Sequence, residues 1–480
     1  MRRKVLVPVW QLIVGGVLAA AAVLDRLLLP SVRWFFRQRA NQAITEVNKR
    51  LRLQLPAFKL TKRRVLIDRL VYDPGVLEAV EEYSRSENIP NVVAMARVER
   101  YAREIVPSFN AYIYFRVGTW LSKTVARFLY RVRLGYSDEN ALAHVDPSSS
   151  VVFVMNHRSN MDYILLAHIA AEREALSYAV GEWARIWPIQ QLIQAMGAFF
   201  VRRGSGNTLY RRVLERYVQM ATENGVVQAM FPEGGLSKDG ALRSPKIGLL
   251  DYMLRRFDAE GERDLVFIPV GVNYDRVLED RTLLRDADPQ DRPAESSAYA
   301  LRRTLRFILH NVGLMVRGGW HRFGYAVVNF GPPISTRAYA QQHGIDFRAL
   351  DRESRIAHAQ DLAQTMMQAI GQVVPVVPVA LVASVFVSSP TAALSSLELK
   401  AQVQALWDQL EQRGAYIYIP RNDREYAIEV GLRMLTLRHL VANKRGLYQP
   451  VAKNLSVLQF YASSIAHLVA PAASLDHQKG

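Results

Sequence analysis

The 480-residue chain contains no cysteine. That excludes disulfides, thiolate nucleophiles and cysteine-ligated zinc, and leaves the redox compartment open. It also lacks a G-x-S-x-G elbow, a P-loop and a G-x-G-x-x-G turn, so nucleophilic serine, ATP and dinucleotide chemistry have no support. No solenoid period or low-complexity tract is present. Acidic residues are scarce beside basic ones, 44 Asp and Glu against 61 Lys and Arg, for a formal charge of +17. Such an excess suits an acidic partner: nucleic acid, an anionic membrane surface or a phosphate-bearing substrate. No RRM, helix-turn-helix or zinc pattern accompanies it, so no nucleic acid is expected.

Half the residues are hydrophobic, enough for a sizeable core in two or three domains. Arg2-Arg3-Lys4 precedes Val5 to Leu24, a run whose one clearly polar member is Gln11 and which is just long enough to cross a bilayer. A secretory signal has the same outline, but Arg33-Trp34-Phe35-Phe36-Arg37 reads as an interfacial belt. Residues 1–30 are therefore expected to be a retained anchor. Residues 31–145 form a helical, basic front domain, in which Tyr112 to Tyr136 reads as one basic amphipathic helix suited to lipid headgroups. Residues 336–480 read as mainly helical. There Val379 to Val387 is apolar apart from Ser384, lies between prolines and is too short for a span, which predicts a buried core element. Ser395 and Glu398 form a capping box opening a helix to Gln412.

Between them, residues 146–335 alternate short apolar runs with helical stretches. The expected class is α/β: a central mixed, mainly parallel sheet flanked by N-terminal and C-terminal helical regions. Val151 to Met155 is a buried strand, Asn156 to Asn160 a polar loop, and Met161 onward a helix. His157 thus sits at a strand end, where open α/β sheets bind ligands, with Asp162 close by. A His beside a carboxylate is the minimum for general-base chemistry on a hydroxyl. Downstream, Gly197-Ala-Phe-Phe-Val-Arg202-Arg203 is a strand ending in two guanidiniums, suited to phosphate. Val226 to Phe231 is a strand ending in Pro232-Glu233-Gly234-Gly235, with Lys238, Arg243 and Lys246 beyond. Leu265 to Val272 is a further apolar strand, read as a pocket wall.

These four blocks, in this order, resemble those of membrane glycerolipid acyltransferases. They are His157-Arg-Ser-Asn-Met-Asp162, Gly197 to Arg203, Phe231-Pro-Glu-Gly-Gly235 and Ile268-Pro269-Val270. Within that superfamily the chain looks most like the bacterial glycerol-3-phosphate acyltransferases, over roughly residues 76–468. Two departures stand out: Leu236 and Lys238 where an arginine follows the glycines, and Ala462-Ser463 where the family has Arg-Asn. Arg243 or Lys246 are the candidates to supply the missing charge.

The resemblance implies a reaction: acyl transfer from acyl-CoA or acyl carrier protein to the sn-1 hydroxyl of glycerol-3-phosphate. His157 would be general base and Asp162 its orienting partner. Arg158, Arg202, Arg203, Glu233, Gly234 and Lys238 would hold the acceptor, and Ile268, Pro269 and Val270 would lie along the acyl donor. No metal and no cofactor are implied, since a thioester is already activated. The expected surroundings are an anionic phospholipid membrane, with the catalytic domain on the cytoplasmic side of a bacterial inner membrane. An acceptor such as 1-acylglycerol-3-phosphate or dihydroxyacetone phosphate is the nearest alternative, and a non-catalytic basic membrane-binding protein the remote one.

Overall fold

The computed structural model describes residues 56–170, 176–180, 189–202, 206–287 and 322–469. The expected anchor at 1–30 and Arg203 lie outside them. Among the described residues no helix is long and apolar enough to cross a membrane.

The centre is a sheet of β1 (Arg131–Ser137), β2 (Ser150–Met155), β3 (Ser177–Val180), β4 (Phe199–Phe200), β5 (Gln228–Met230), β6 (Leu265–Tyr274), β7 (Tyr325–Phe330) and β8 (Ile334–Ser335). Its spatial order is β1-β7-β6-β2-β5-β3-β4, with β8 beside β6. β6, β2, β5, β3 and β4 run parallel, and β1 is parallel to β7. β7 and β8 are antiparallel to β6, so the sheet is mixed and mainly parallel, as the sequence predicts.

β6 is buried at all ten positions, the outcome of an unbroken apolar run covered on both faces. β2 shows how two faces are served by one strand. Val152 and Val154 join a core with the front helices, including Val98 and Ile105, and with the helix Thr208–Glu223. Met155 points the other way, into a core shared with Phe386, Trp407 and Phe460 of the C-terminal helices. Alternation of side chains along a strand gives this division.

Val379 to Val387 falls inside the helix Pro378–Ser388, which is buried from Pro378 to Ala383, so the core reading holds. The capping box forms between Ser395 and Glu398 at the head of Ser396–Gln412. Hydrophobic packing runs across the divisions drawn after residues 145 and 335, and those divisions stay readings of the sequence.

One element departs from expectation. Tyr112 to Tyr136 is not a single helix: a π-helical turn, Ile113–Gly118, passes into the helix Thr119–Leu129, and the chain then becomes β1. The physical reason lies in Arg131-Val-Arg-Leu-Gly-Tyr136, whose alternation has period two. Gly135 secures the pairing, because a Cβ there would stand 2.3 Å from Asn329 Oδ1, and that oxygen accepts from the Tyr136 N–H.

Candidate active site

His157 lies just beyond β2, and the loop around it is fixed from several sides. Asn156 exchanges two hydrogen bonds with the backbone of Val272 on β6, at 2.9 and 2.8 Å. The His157 N–H donates to Glu233 Oε1 at 2.9 Å, and its carbonyl accepts from Ser237 N–H at 2.9 Å. Because β2 and β5 are adjacent and parallel, the first and third blocks meet at the same sheet edge.

Asp162, in the first turn of the helix Met161–Ala170, faces back into this loop. Its Oδ2 lies 2.9 Å from His157 Nδ1 and also accepts from the N–H groups of Arg158 (2.7 Å) and Ser159 (3.0 Å). Its Oδ1 accepts from the Tyr274 hydroxyl. A carboxylate acting as acceptor fixes the proton on Nδ1 and leaves Nε2 with its lone pair. That Nε2 is buried and has no hydrogen-bond partner among the described residues. The ring stacks on Phe231, centroids 3.8 Å apart, and meets Tyr163 edge-on.

Beside it, Arg158 is buried with 3% exposure. One Nη–H donates to the Gly240 carbonyl and the guanidinium lies 5.0 Å over the Phe460 ring, while Nε and Nη2 have no partner among the described residues. Burial pulls this guanidinium below the usual arginine value, against the pull of Glu233 and other acidic groups nearby. Burial pushes the Glu233 carboxyl up to about 7, offset in part by the His157 N–H and by Arg158, and its Oε2 is likewise unpartnered. Unsatisfied buried groups are rare in folded proteins and ask for a reason. Here a proton acceptor and a cation, on adjacent residues of one loop, are both buried.

Among the other expected residues, Arg202 stands apart from this centre. Arg202, at the end of β4, makes a two-pronged pair with Glu104 through Nε (2.9 Å) and Nη2 (2.5 Å) and lies between Tyr101 and Tyr210. Its strand is three places from β2, about 14 Å away at ordinary strand spacing. Lys238 donates to the Asp286 carbonyl at 2.8 Å, at the end of the helix Asp280–Ala287. Ile268, Pro269 and Val270 are buried within β6, in register with Phe153, Val154 and Met155. Gly234 has φ +69°, and a Cβ there would stand 2.7 Å from Lys246 Cδ, so this position needs glycine. Leu236 packs against the hydrophobic core and brings no charge.

Three contributors escaped the sequence reading. Tyr274 and Glu279 follow the fourth block, and Phe460 lies some three hundred positions from His157. Glu279 Oε2 accepts from the Ser159 hydroxyl (2.7 Å), and Oε1 accepts from the Asn160 backbone (3.3 Å) and side chain (3.1 Å). Burial pushes its carboxyl up, and the Ser159 bond opposes that. The signal for Tyr274 and Glu279 was position alone, polar groups just past a buried strand. Phe460 carried none.

A His–carboxylate pair with an open Nε2, at the carboxyl edge of parallel strands, is the layout of the H-x4-D acyltransferases, and the family profile described as Acyltransferase matches residues 136–273. A second profile, Glycerol-3-phosphate acyltransferase C-terminal region, matches residues 315–476. Over the first stretch the chain is thus similar to acyltransferases at large, and over the second to glycerol-3-phosphate acyltransferases. Among curated proteins it is 29% identical over 433 residues to the glycerol-3-phosphate acyltransferase of Pseudomonas putida strain W619, covering 87% of this chain and 50% of that one. It is 28% identical over 365 residues to that of Xanthomonas axonopodis pv. citri, covering 74% and 40%. The chain thus spans about half the length of the curated relatives it matches. The solved 1-acyl-sn-glycerophosphate acyltransferase of Thermotoga maritima aligns at 12% identity and TM-score 0.30, over 64% of this chain and 96% of that one, too loosely to carry an argument.

Proposed function

We propose that the protein transfers a fatty acyl group from an acyl thioester, acyl-CoA or acyl carrier protein, to the sn-1 hydroxyl of glycerol-3-phosphate, giving lysophosphatidate. The observation that carries this reading is that two adjacent residues, His157 through Nε2 and Arg158 through Nε and Nη2, bury polar atoms that have no partner among the described residues. A substrate that satisfies both bears a hydroxyl and an anion, as a phosphorylated alcohol does.

His157 Nε2 takes the hydroxyl proton as the oxygen attacks the thioester carbonyl. Asp162 Oδ2 supports the imidazolium through Nδ1–H, and the proton then goes to the departing thiolate. An ester forms, a thioester breaks and a free thiol leaves. The phosphate answers the buried charge of Arg158, which is costly while uncompensated. Arg243, whose charge acts on Glu233, stands close enough to assist. Glu233, near neutrality at about 7, suits the remaining polar edge of the acceptor. Substrates reach the site only when the layers over His157 part, since that residue is 1% exposed. The expected setting is the cytoplasmic face of a bacterial inner membrane, where an anionic lipid surface suits the charge of +17.

The test uses membranes from cells making wild type or His157→Ala at equal levels. Each receives labelled palmitoyl-CoA with glycerol-3-phosphate or 1-acylglycerol-3-phosphate. The expected result is lysophosphatidate from wild type alone. Phosphatidate formed only from the lysolipid would move the acceptor one acylation on. Failure with both acceptors, and again with acyl carrier protein as donor, would overturn the reading.

A further inference from the structure

A charged hollow lies apart from the loop that carries His157, and no residue of that loop lines it. It measures about 310 Å³ and opens between Asp73 at the head of the helix Pro74–Ser86, the helix Thr208–Glu223, the end of the helix Gly248–Leu254 and the helix Arg352–Val373. Five arginines line it: Arg212, Arg216, Arg255, Arg256 and Arg355.

Carboxylates pair with these guanidiniums, and two of them, Asp73 and Glu215, line the hollow as well. Arg216 binds Asp73 and Glu223; Arg255 binds Asp251 and Glu215; Arg212 binds Glu215; and Arg355 binds Asp251 through Nε at 2.9 Å. Arg256 reaches Glu223 only at 3.6 Å. Five cations therefore meet four carboxylates, Asp73, Glu215, Glu223 and Asp251. Arg355 is the most telling. Its side chain is 13% exposed, and among the described residues it pairs only through Nε, which leaves both Nη groups without a protein partner.

A network built only to join helices would need one guanidinium per carboxylate and no space between them. Here five guanidiniums, paired with fewer carboxylates, surround a hollow, and forks fixed in this way favour phosphate oxygens. The volume matches the lower range of ligand sites. We propose that this cleft binds a polyphosphate anion, such as the diphosphate of a nucleotide or of coenzyme A, away from the His157 centre. The inference does not depend on the reaction assigned to His157.

The probe is sodium tripolyphosphate, titrated calorimetrically into the full-length protein in detergent, with sodium sulfate at equal ionic strength as control. Saturable one-to-one binding of tripolyphosphate is expected, with sulfate at least tenfold weaker. Arg256→Ala, exposed and loosely paired, should weaken it about tenfold, which is the loss of one phosphate-binding fork. Arg355→Lys, which keeps the charge and loses the fork, should do the same. Coenzyme A and adenosine diphosphate then separate the sources. If coenzyme A displaces the probe and Arg256→Ala raises the KM for acyl-CoA, the donor's phosphates occupy the cleft. If adenosine diphosphate displaces it and that KM is unchanged, a free effector does. Absence of saturable binding, or binding untouched by both substitutions, overturns the proposal.

Discussion

The Tyr274 hydroxyl donates to Oδ1 of Asp162, the carboxylate oxygen that His157 leaves free. β6 and the loop after β2 thus hold one carboxylate between them, and the orientation of the imidazole depends on both. Tyr274→Phe keeps the ring and removes the donor. A hydrogen bond to a charged group is worth about 1.5–3 kcal/mol, so kcat should fall about tenfold or more. KM for the acceptor should change little, because Tyr274 touches the dyad and not the substrate. Steady-state kinetics at fixed pH decide this.

Arg158 and Arg202 should separate in kinetics, although the sequence presents both as acceptor ligands. Arg158→Lys leaves a charge but loses the planar fork, and the acceptor KM should rise about tenfold to a hundredfold. Arg202→Lys breaks the two-pronged pair with Glu104, so its main effect should be a lower midpoint of thermal unfolding. A large rise in acceptor KM from Arg202→Lys, with the midpoint unchanged, would return the phosphate to the second block.

Glu279 should act through the loop it grips. Glu279→Gln retains one acceptor for Ser159 and Asn160, whereas Glu279→Ala retains none. We expect a graded loss, kcat falling about fivefold for Gln and about fiftyfold for Ala, in keeping with the loss of one and then all three hydrogen bonds. Equal losses in the two variants would point to packing instead.

Two buried carboxyls predict how stability varies with pH. Asp275 accepts from the N–H groups of Tyr325 (2.8 Å) and Val379 (3.0 Å), and burial pushes it up from 3.8 to about 7 despite them. Glu233 rises from 4.5 to about 7. A carboxyl whose folded value is raised contributes stability that is fully present below its unfolded value and is lost as pH climbs to its folded value. Each group therefore removes up to about 1.4 kcal/mol per pH unit between roughly pH 4.5 and 7, with no further loss above. Asp275→Asn should flatten that slope relative to wild type, as read from urea midpoints at pH 5, 6, 7 and 8.

The strands were legible because burial on both faces leaves a plain mark: β2 and β6 are short runs of Val, Ile and Phe. His157 and Asp162 were legible because one loop carries both, so no knowledge of distant packing was needed to bring them together. β1 was misread because five basic residues between 116 and 133 imitate a helix face, and only pairing with β7 selects the alternating pattern. Arg202 could not be separated from Arg158 in sequence, since the difference is Glu104, contributed by a helix from another part of the chain. The cleft arginines come from three helices and form no motif, so nothing short of folding brings them together.

The contact of Arg158 with Phe460 carries a consequence for how the protein is made. The two residues are separated by nearly the whole length of the catalytic and C-terminal regions, and the helix Leu455–Ser463 also presses its Phe460 carbonyl against Gly240. A ribosome that has finished the His157, Glu233 and Ile268 blocks has therefore made every expected catalytic side chain and no closed site. Until the last helices emerge and dock, Arg158 lacks the Phe460 ring that its guanidinium lies against. Competence arrives late in translation, with the roof and not with the chemistry.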